Sequence, residues 1–278
     1  MIFWLSVLIE AWASVGECSI SSKVEAATVL SPTCSLLFPS PVQDRDLPLI
    51  VFLHGLGSSA GEMATSPAVV WLQEQMKEGR FPSSHLLVME GEQGYWTDWL
   101  DGRAEHRYEQ RILEAVDEVV GNHPIAVEKI ALVGISMGGF GALSVGLRHP
   151  DVFSAMVALS PTDMELAVQA QPTRSLYTQV YGDPIHLPYV AARNPRELII
   201  RGAGQDQLLA WAYGTAEPDK FRVGAERLQC VAEVNELYYR QRIVQGGTHS
   251  AANTWGPETT KWWSTLLSDW FGQRDEAK

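Results

Sequence analysis

Short apolar runs recur along the chain and are separated by longer polar or amphipathic stretches. Runs that are brief and contain β-branched residues are typical of parallel strands buried on both faces. We predict strands at 47–53, 85–89, 130–133, 153–159, 197–200 and 236–244. A β-type segment at 27–41 is interrupted by prolines, so we expect an antiparallel hairpin at the sheet edge there.

The stretches between these runs carry apolar residues at helical spacing. Segment 105–120 shows this best, because one face collects Tyr108, Ile112, Ala115, Val116 and Val119. Further helices are predicted at 67–78, 223–231 and 259–271. The alternation predicts an α/β fold with a mostly parallel central sheet flanked by helices. Segment 162–194 contains three prolines and no steady period, so we expect a small cap-like insertion there.

The segment 129–150 reads as strand, sharp turn and helix, and its turn is Gly134-Ile135-Ser136-Met137-Gly138. This G-x-S-x-G pattern is that of a nucleophile elbow, in which a serine on a tight turn presents its hydroxyl above the sheet. A flexible Gly/Ser turn can carry the same letters. The strand before it and the helix after it favour the catalytic interpretation, which makes Ser136 the candidate nucleophile.

A serine hydroxyl is a poor nucleophile at neutral pH and needs a base, which a carboxylate in turn orients. In this kind of fold the chain order is serine, acid, histidine. Three histidines follow Ser136. His149 ends the elbow helix and His186 lies in the predicted cap, whereas His249 comes just after the last predicted strand. We therefore predict that His249 is the base.

Three aspartates are candidates for the acid. Asp206 lies in a glycine-rich loop at 201–206, after the predicted strand 197–200. Asp163 follows the strand before that, and Asp219 comes further on, ahead of a helix. We predict Asp206, with Asp163 and Asp219 as alternatives. A solvated surface aspartate is the plain alternative for each of them.

The loop after the strand 47–53 reads His54-Gly55-Leu56-Gly57. We predict that the Leu56 and Met137 amides form an oxyanion hole, since backbone donors are fixed before charge develops in the transition state. Loop 94–99 contains Trp96 and Trp99 at the carboxyl end of a predicted strand, where open α/β sheets bind ligands. They are candidates for substrate binding or, alternatively, for core aromatics that pin the loop.

Composition narrows the class of protein. A chain of 278 residues with 46% hydrophobic residues can form one large domain, which we place at 27–273. The net charge of -12 and the lack of a basic stripe argue against nucleic-acid or anionic-membrane partners. The three cysteines have no zinc-site spacing, so no metal site is expected, and the chemistry of a serine, a histidine and an acid implies no cofactor. They allow one disulfide and leave one cysteine over.

The segment 1–26 is open to two interpretations. An apolar run at 2–9 and the small residues around Trp12 resemble a signal peptide, which would make the protein secreted. No Lys or Arg precedes the run, however, and Glu10 follows it. A first strand or a misplaced start, in a cytoplasmic protein, is the alternative. Eight apolar residues are too few to span a bilayer.

Several motifs together resemble the putative-esterase family of α/β hydrolases, which includes S-formylglutathione hydrolases, tributyrin-type and feruloyl or acetylxylan esterases, and mycolyltransferases. They are GISMGGFGAL, the following HPDVFSAMVALSP, YWTDWLDG, and GTHS with Trp255 behind it. The resemblance covers most of 47–271. It implies a triad of Ser136, Asp206 and His249, and it adds Trp255 to the candidate substrate-binding residues.

The resemblance implies a serine carboxylesterase that works through an acyl-enzyme. We expect a small-molecule or carbohydrate ester as its substrate, although the resemblance itself does not extend to the substrate class. Acyl transfer to an alcohol by the same residues is the first alternative. A binding module that has lost activity is the second, although the intact serine, histidine and acid argue against it. The sequence leaves the oligomeric state and the acyl and alcohol groups open.

Overall fold

A computed structural model of the protein describes residues 34–37, 45–250 and 254–276. Within these residues the chain forms a seven-stranded sheet in the order β1-β3-β2-β4-β5-β6-β7. Edge strand β1 is antiparallel to β3, and the other pairings are parallel. The strands are β1 Cys34–Leu37, β2 Leu47–Leu53, β3 His85–Met89, β4 Ile125–Ile135, β5 Ala155–Leu159, β6 Leu208–Gly214 and β7 Tyr239–Val244. The predicted α/β architecture is confirmed.

The sheet is covered on both faces, as the continuous apolar strands require. Alternate residues of β2 point to opposite sides, so Val51 joins one core cluster and Phe52 the other. The helices are α1 Ala60–Ala64, α2 Pro67–Lys77, α3 Tyr108–Asn122, α4 Met137–Arg148, α5 Met164–Ala170, α6 Ser175–Tyr181, α7 Leu187–Ala191, α8 Pro195–Ile200, α9 Asp219–Val234 and α10 Pro257–Glu276. Helices α3, α4 and α9 contribute to the core cluster that contains Val51, and α1, α2 and α10 contribute to the one that contains Phe52.

The segment between β5 and β6 holds the four short helices α5 to α8. Two of its tyrosines, Tyr177 and Tyr181, are completely buried and pack into the same core as Tyr95, whereas Leu187 and Ile200 are exposed. Apolar anchors scattered among prolines therefore reflect several short helices, not a loop. That this segment acts as a cap, and that 27–273 is one domain, stay predictions.

The strand predicted at 197–200 is wrong, because these residues belong to helix α8. Pro195 occupies the first turn of that helix, where its missing N–H costs nothing. A short apolar run such as ELII cannot be assigned to helix or strand by periodicity alone. The strand that follows the cap segment is β6, with the sequence LLAWAYG. This displaces the predicted acid, as the site shows below.

The candidate signal segment 1–26 lies outside the described residues. Cys34 is disulfide-bonded, whereas Cys230 is free and exposed. Among the described helices, none is both long and apolar enough to cross a membrane.

Candidate active site

Ser136 lies on the turn between β4 and α4 in a conformation that serine rarely adopts, with φ 59° and ψ -110°. Such backbone strain costs on the order of 1–3 kcal/mol and persists only where the surroundings impose it. Here the flanking glycines permit the close packing. A Cβ atom on Gly134 would collide with the Gly138 carbonyl, and one on Gly138 would collide with the Leu53 carbonyl. The turn therefore has the geometry of a nucleophile elbow.

His249, on the loop after β7, reaches over to this serine. Its Nε2 lies 2.9 Å from Ser136 Oγ, and 25% of its side chain is exposed. The imidazole ring stacks on Phe221 with centroids 3.9 Å apart, and it stands perpendicular to the Trp255 ring at 4.8 Å. Two aromatic rings thus fix the plane of the imidazole. The structure brings the predicted nucleophile and the predicted base together.

The carboxylate beside His249 is Glu217, which the sequence interpretation missed. Glu217 Oε1 lies 3.1 Å from His249 Nδ1, and its side chain is completely buried. Because an ionised carboxylate can only accept, Nδ1 must donate, which turns the lone pair of Nε2 toward the Ser136 hydroxyl. The three side chains form a continuous chain from acid to nucleophile.

The prediction that Asp206 partners His249 is wrong. Asp206 precedes β6, so it lies at the amino end of that strand, whereas Glu217 follows the carboxyl end. Only the carboxyl ends of the parallel strands meet Ser136. The two alternatives have other partners: Asp163 accepts hydrogen bonds from the Leu166 amide and from Asn194, and exposed Asp219 pairs with Arg222.

The loop after β6, which carries Glu217, and the loop after β7, which carries His249, are joined by backbone hydrogen bonds. The Thr215 amide donates to the Val244 carbonyl and the Ala216 amide to the Gly247 carbonyl, each at 3.0 Å. Gly214 allows this approach, since a Cβ there would collide with the Gly247 carbonyl. A signal for Glu217 was therefore present in the sequence: it is the acidic residue just after a strand that ends in glycine.

Two further donors surround the Glu217 carboxylate. The Ser160 hydroxyl donates to Oε1 at 2.6 Å, and the Gly214 amide donates to Oε2 at 3.3 Å. Ser160 in turn accepts a hydrogen bond from Trp255 Nε1 at 2.9 Å. Sequence reasoning assigned nothing to Ser160. The buried acid therefore has a donor on each oxygen besides the histidine.

The predicted oxyanion donors border the same serine. Met137 is the first residue of α4, so its amide has no acceptor within the helix. The loop that contains Leu56 passes close by, since a Cβ built on Gly55 would lie 3.6 Å from Ser136 Cβ. A turn stabilises this loop, in which the Ser58 amide donates to the Gly55 carbonyl at 3.2 Å. The role of the two amides stays a prediction.

A second histidine and glutamate support the loop that contains Leu56. Buried His54 hydrogen-bonds the Gly55 carbonyl through Nδ1 at 2.8 Å, and its Nε2 lies 2.9 Å from Glu90 Oε1. Burial disfavours the charge of Glu90, but hydrogen bonds from His54 and from the Ala60 and Glu92 amides outweigh it and lower its pKa to about 2. Glu90 is thus a fixed anion that ties both ends of the loop.

The three tryptophans predicted at the substrate site have different environments. Trp96 is completely buried, donates through Nε1 to the His54 carbonyl at 3.1 Å, and packs against Gly91 and Gly141. It is enclosed and supports the loop that contains Leu56, so its prediction as a substrate contact is wrong. Trp99 stacks on His106 at 3.8 Å, and its substrate role stays a prediction. Trp255 contacts His249, as described above.

For metal binding, the described residues contain no group of three or more His, Cys, Asp or Glu side chains that could hold an ion.

Comparison with known proteins places the chain in a family. A family model described as "Putative esterase" matches residues 29–270. The fold is similar to that of a fluorophosphonate-binding serine hydrolase from Staphylococcus aureus, FphF (17% identity, TM-score 0.68, 90% of this chain and 96% of that one). It is also similar to that of an S-formylglutathione hydrolase from Agrobacterium tumefaciens (13%, 0.66, 96% and 98%) and to that of a carbohydrate esterase from gut microbiota (14%, 0.68, 85% and 90%).

No curated protein sequence matches the chain. The structural neighbours are too distant in sequence to show more than the α/β-hydrolase fold. The family model covers most of the 278 residues, including every strand of the sheet. The chain therefore belongs to the putative esterase family and is a carboxylic ester hydrolase.

Proposed function

We propose that the protein hydrolyses carboxylic esters through an acyl-enzyme on Ser136, with His249 as the base and Glu217 as the acid. One observation carries the proposal, the chain of hydrogen bonds from Glu217 through His249 to Ser136. It supplies a nucleophile, a base in reach of its proton, and a buried carboxylate that stabilises the imidazolium. No cofactor takes part in this mechanism.

The first half of the reaction forms the acyl-enzyme. Ser136 Oγ attacks the ester carbonyl carbon while its proton passes to His249 Nε2, and the carbonyl electron pair moves onto oxygen. The Leu56 and Met137 amides hold this oxyanion, where each donor contributes about 3–4 kcal/mol in comparable sites. The C–O bond to the alcohol then breaks, and the imidazolium gives its proton to the departing alkoxide.

The second half resolves the acyl-enzyme with water. His249 Nε2 takes a proton from the water as its oxygen attacks the acyl carbon, and the proton then returns to Ser136 Oγ as the serine leaves. Ser136 and His249 are both partly exposed, which favours water over an alcohol as the acceptor. The substrate we propose is a small-molecule or carbohydrate ester, the kind of substrate that the names of two structural neighbours indicate, a ferulic acid esterase and the carbohydrate esterase.

The test is activity on p-nitrophenyl acyl esters, feruloyl esters and acetylated sugars, with and without an added alcohol acceptor. Ser136→Ala should lower kcat by several orders of magnitude and abolish labelling by a fluorophosphonate probe. Ser175→Ala, which changes an exposed serine on α6, is the matched control and should behave as the wild-type protein. A folded Ser136→Ala protein that keeps its activity would contradict the proposal, and alcohol adducts as the main product would point to acyl transfer.

A further inference from the structure

Ser160, the residue after β5, is built into the site although it is not one of the three proposed catalytic residues. It is completely buried, and its amide donates to the Ala212 carbonyl of the neighbouring strand at 2.7 Å. Its φ of 50° is in the left-handed region, where a glycine would sit without strain. The side chain at this strained position points its oxygen at Glu217, at 2.6 Å.

The direction of the hydrogen bonds around Ser160 follows from the chemistry of its partners. An indole N–H can only donate, so Trp255 Nε1 must donate to Ser160 Oγ. The single hydroxyl proton is then directed at Glu217 Oε1. The same oxygen also accepts from His249 Nδ1, and Oε2 accepts from the Gly214 amide. Every partner of the carboxylate is thus a donor, as a carboxylate that supports an imidazolium requires.

We propose that Ser160 and Trp255 are positioning residues for the triad, in which Trp255 orients the Ser160 hydroxyl and Ser160 orients and stabilises the ionised Glu217. This inference rests on the proposed role of Glu217. It assigns the two residues an effect on catalysis that passes through the acid and not through contact with the substrate. Trp255 has a second contact, the perpendicular packing of its ring on His249.

The same strand supplies a matched control at its other end. Ser154, just before β5, is also a buried serine, and Trp270 Nε1 lies 3.4 Å from its Oγ. Its hydroxyl donates to the Ile130 carbonyl instead of to a carboxylate. A serine and tryptophan pair of this kind thus occurs at both ends of β5, and only the pair at the carboxyl end faces the acid.

The experiment measures kcat, KM and the pH profile on p-nitrophenyl acetate for Ser160→Ala, Ser160→Gly and Trp255→Phe. Without the hydroxyl, we expect kcat to fall about 10- to 100-fold with little change in KM, since one charge-assisted hydrogen bond is lost. The acidic limb of the pH–rate profile should move up by about half a pH unit. Loss of the hydroxyl leaves more negative charge on the carboxylate that faces the imidazole, so the electrostatic potential at the imidazole becomes more negative. Trp255→Phe keeps the ring on His249 but removes the donor, so a loss of about 3- to 10-fold is expected.

Ser160→Gly separates the hydroxyl from the backbone, because glycine relieves the positive φ while it deletes the donor. Ser154→Ala and Trp270→Phe should change stability and leave kcat and the acidic limb as in the wild-type protein. The inference is overturned if Ser160→Gly is folded, as judged by circular dichroism, and still has a kcat within about twofold of wild type and an acidic limb within about 0.1 pH unit of it. Glu217→Gln is measured alongside: if it is inactive while the Ser160 variants are normal, only this inference fails, and if it is active, the proposed triad fails with it.

Discussion

The carboxyl edge of the sheet holds two pairs of histidine and glutamate, His54 with Glu90 and His249 with Glu217, and the two differ in what the imidazole contacts. His54 is completely buried, and its nitrogens meet the Gly55 carbonyl and the Glu90 carboxylate. His249 is a quarter exposed and places one nitrogen on Glu217 and the other on a serine hydroxyl.

The difference shows that residue types alone do not define a catalytic pair. Both nitrogens of His54 are used to hold the loop that contains Leu56, so neither faces a group that reacts. Glu90 likewise bonds the Ala60 and Glu92 amides, which makes it part of the loop's framework. In the second pair, one nitrogen is directed at Ser136. We therefore expect changes in the pair of His249 and Glu217 to impair proton transfer. Changes in the pair of His54 and Glu90 should instead make the loop less rigid.

The largest effect is expected for His249→Ala, which removes the base. kcat on a short-chain ester should fall by about 10⁴-fold or more, since the serine then has no acceptor for its proton. In the wild-type protein activity should rise with pH through one ionisation near neutrality, and this limb should vanish in the variant. The control is His186→Ala, an exposed histidine at the start of α7. A variant at position 249 that retained the limb would place the base elsewhere.

The next effect is expected for Glu217→Gln, which keeps the shape of the acid but removes its charge. The imidazolium of His249 then has no negative charge beside it, and Nδ1 no longer faces a group that can only accept. kcat should therefore fall by about 10³- to 10⁴-fold. Asp219→Asn, two residues further on and exposed, is the matched control and should retain full activity. Steady-state kinetics on one ester would decide it, and near-normal turnover by Glu217→Gln would remove Glu217 from the mechanism.

The sequence interpretation succeeded where the signal is local and failed where it depends on strand assignment. Ser136 and His249 could be predicted because a glycine-flanked turn and a strand-end histidine are recognisable in a few residues. Glu217 was missed because its signal, an acidic residue just after a strand, is readable only once that strand is located. ELII at 197–200 has the composition of a strand, while the true strand LLAWAYG is rich in alanine and glycine, which have low β-propensity. The predicted acid was therefore placed one apolar run too early.

Burial of the aromatic residues was the second feature that the sequence could not give. Trp96 and Trp99 lie three residues apart on one loop, but Trp96 is enclosed because Gly91 and Gly141 leave room for its ring. Gly91 lies on the same loop as Trp96, whereas Gly141 lies on α4 and is distant from it in sequence. Only the packing of α4 against this loop distinguishes a buried support from an accessible side chain.

A smaller effect is expected for Glu90→Gln, which tests the supporting pair. Unfolding free energy should fall by about 1–2 kcal/mol near neutral pH, and kcat by about 3- to 10-fold, because the loop that contains Leu56 loses a charged clamp. The pKa of Glu90 is lowered from 4.5 to about 2, so its contribution to stability is present above pH 4.5 and is lost as the pH falls toward 2. Urea unfolding of both proteins across this range is the measurement.

Its control is Glu74→Gln, which changes an exposed residue of α2 and should alter neither stability nor rate. If Glu90→Gln were as stable as the wild-type protein at pH 7, Glu90 would not be a clamp. A loss of activity as large as that of Glu217→Gln would also contradict the contrast, because it would give the two pairs the same role.

The smallest effect is expected for Asp206→Asn, at the opposite edge of the sheet. Asp206 has φ 59°. The Arg274 side chain donates a hydrogen bond at 2.8 Å to the backbone carbonyl of Asp206 and not to its carboxylate. Asparagine tolerates the left-handed conformation, so unfolding free energy should change by less than about 0.5 kcal/mol and kcat by less than about twofold. Asp206→Ala keeps the Arg274 bond but loses that tolerance, so about 1 kcal/mol of stability should be lost without loss of activity. A kcat that fell with Asp206→Asn as far as with Glu217→Gln would contradict the assignment of the acid to Glu217, because Asp206 lies at the amino end of β6 and away from His249.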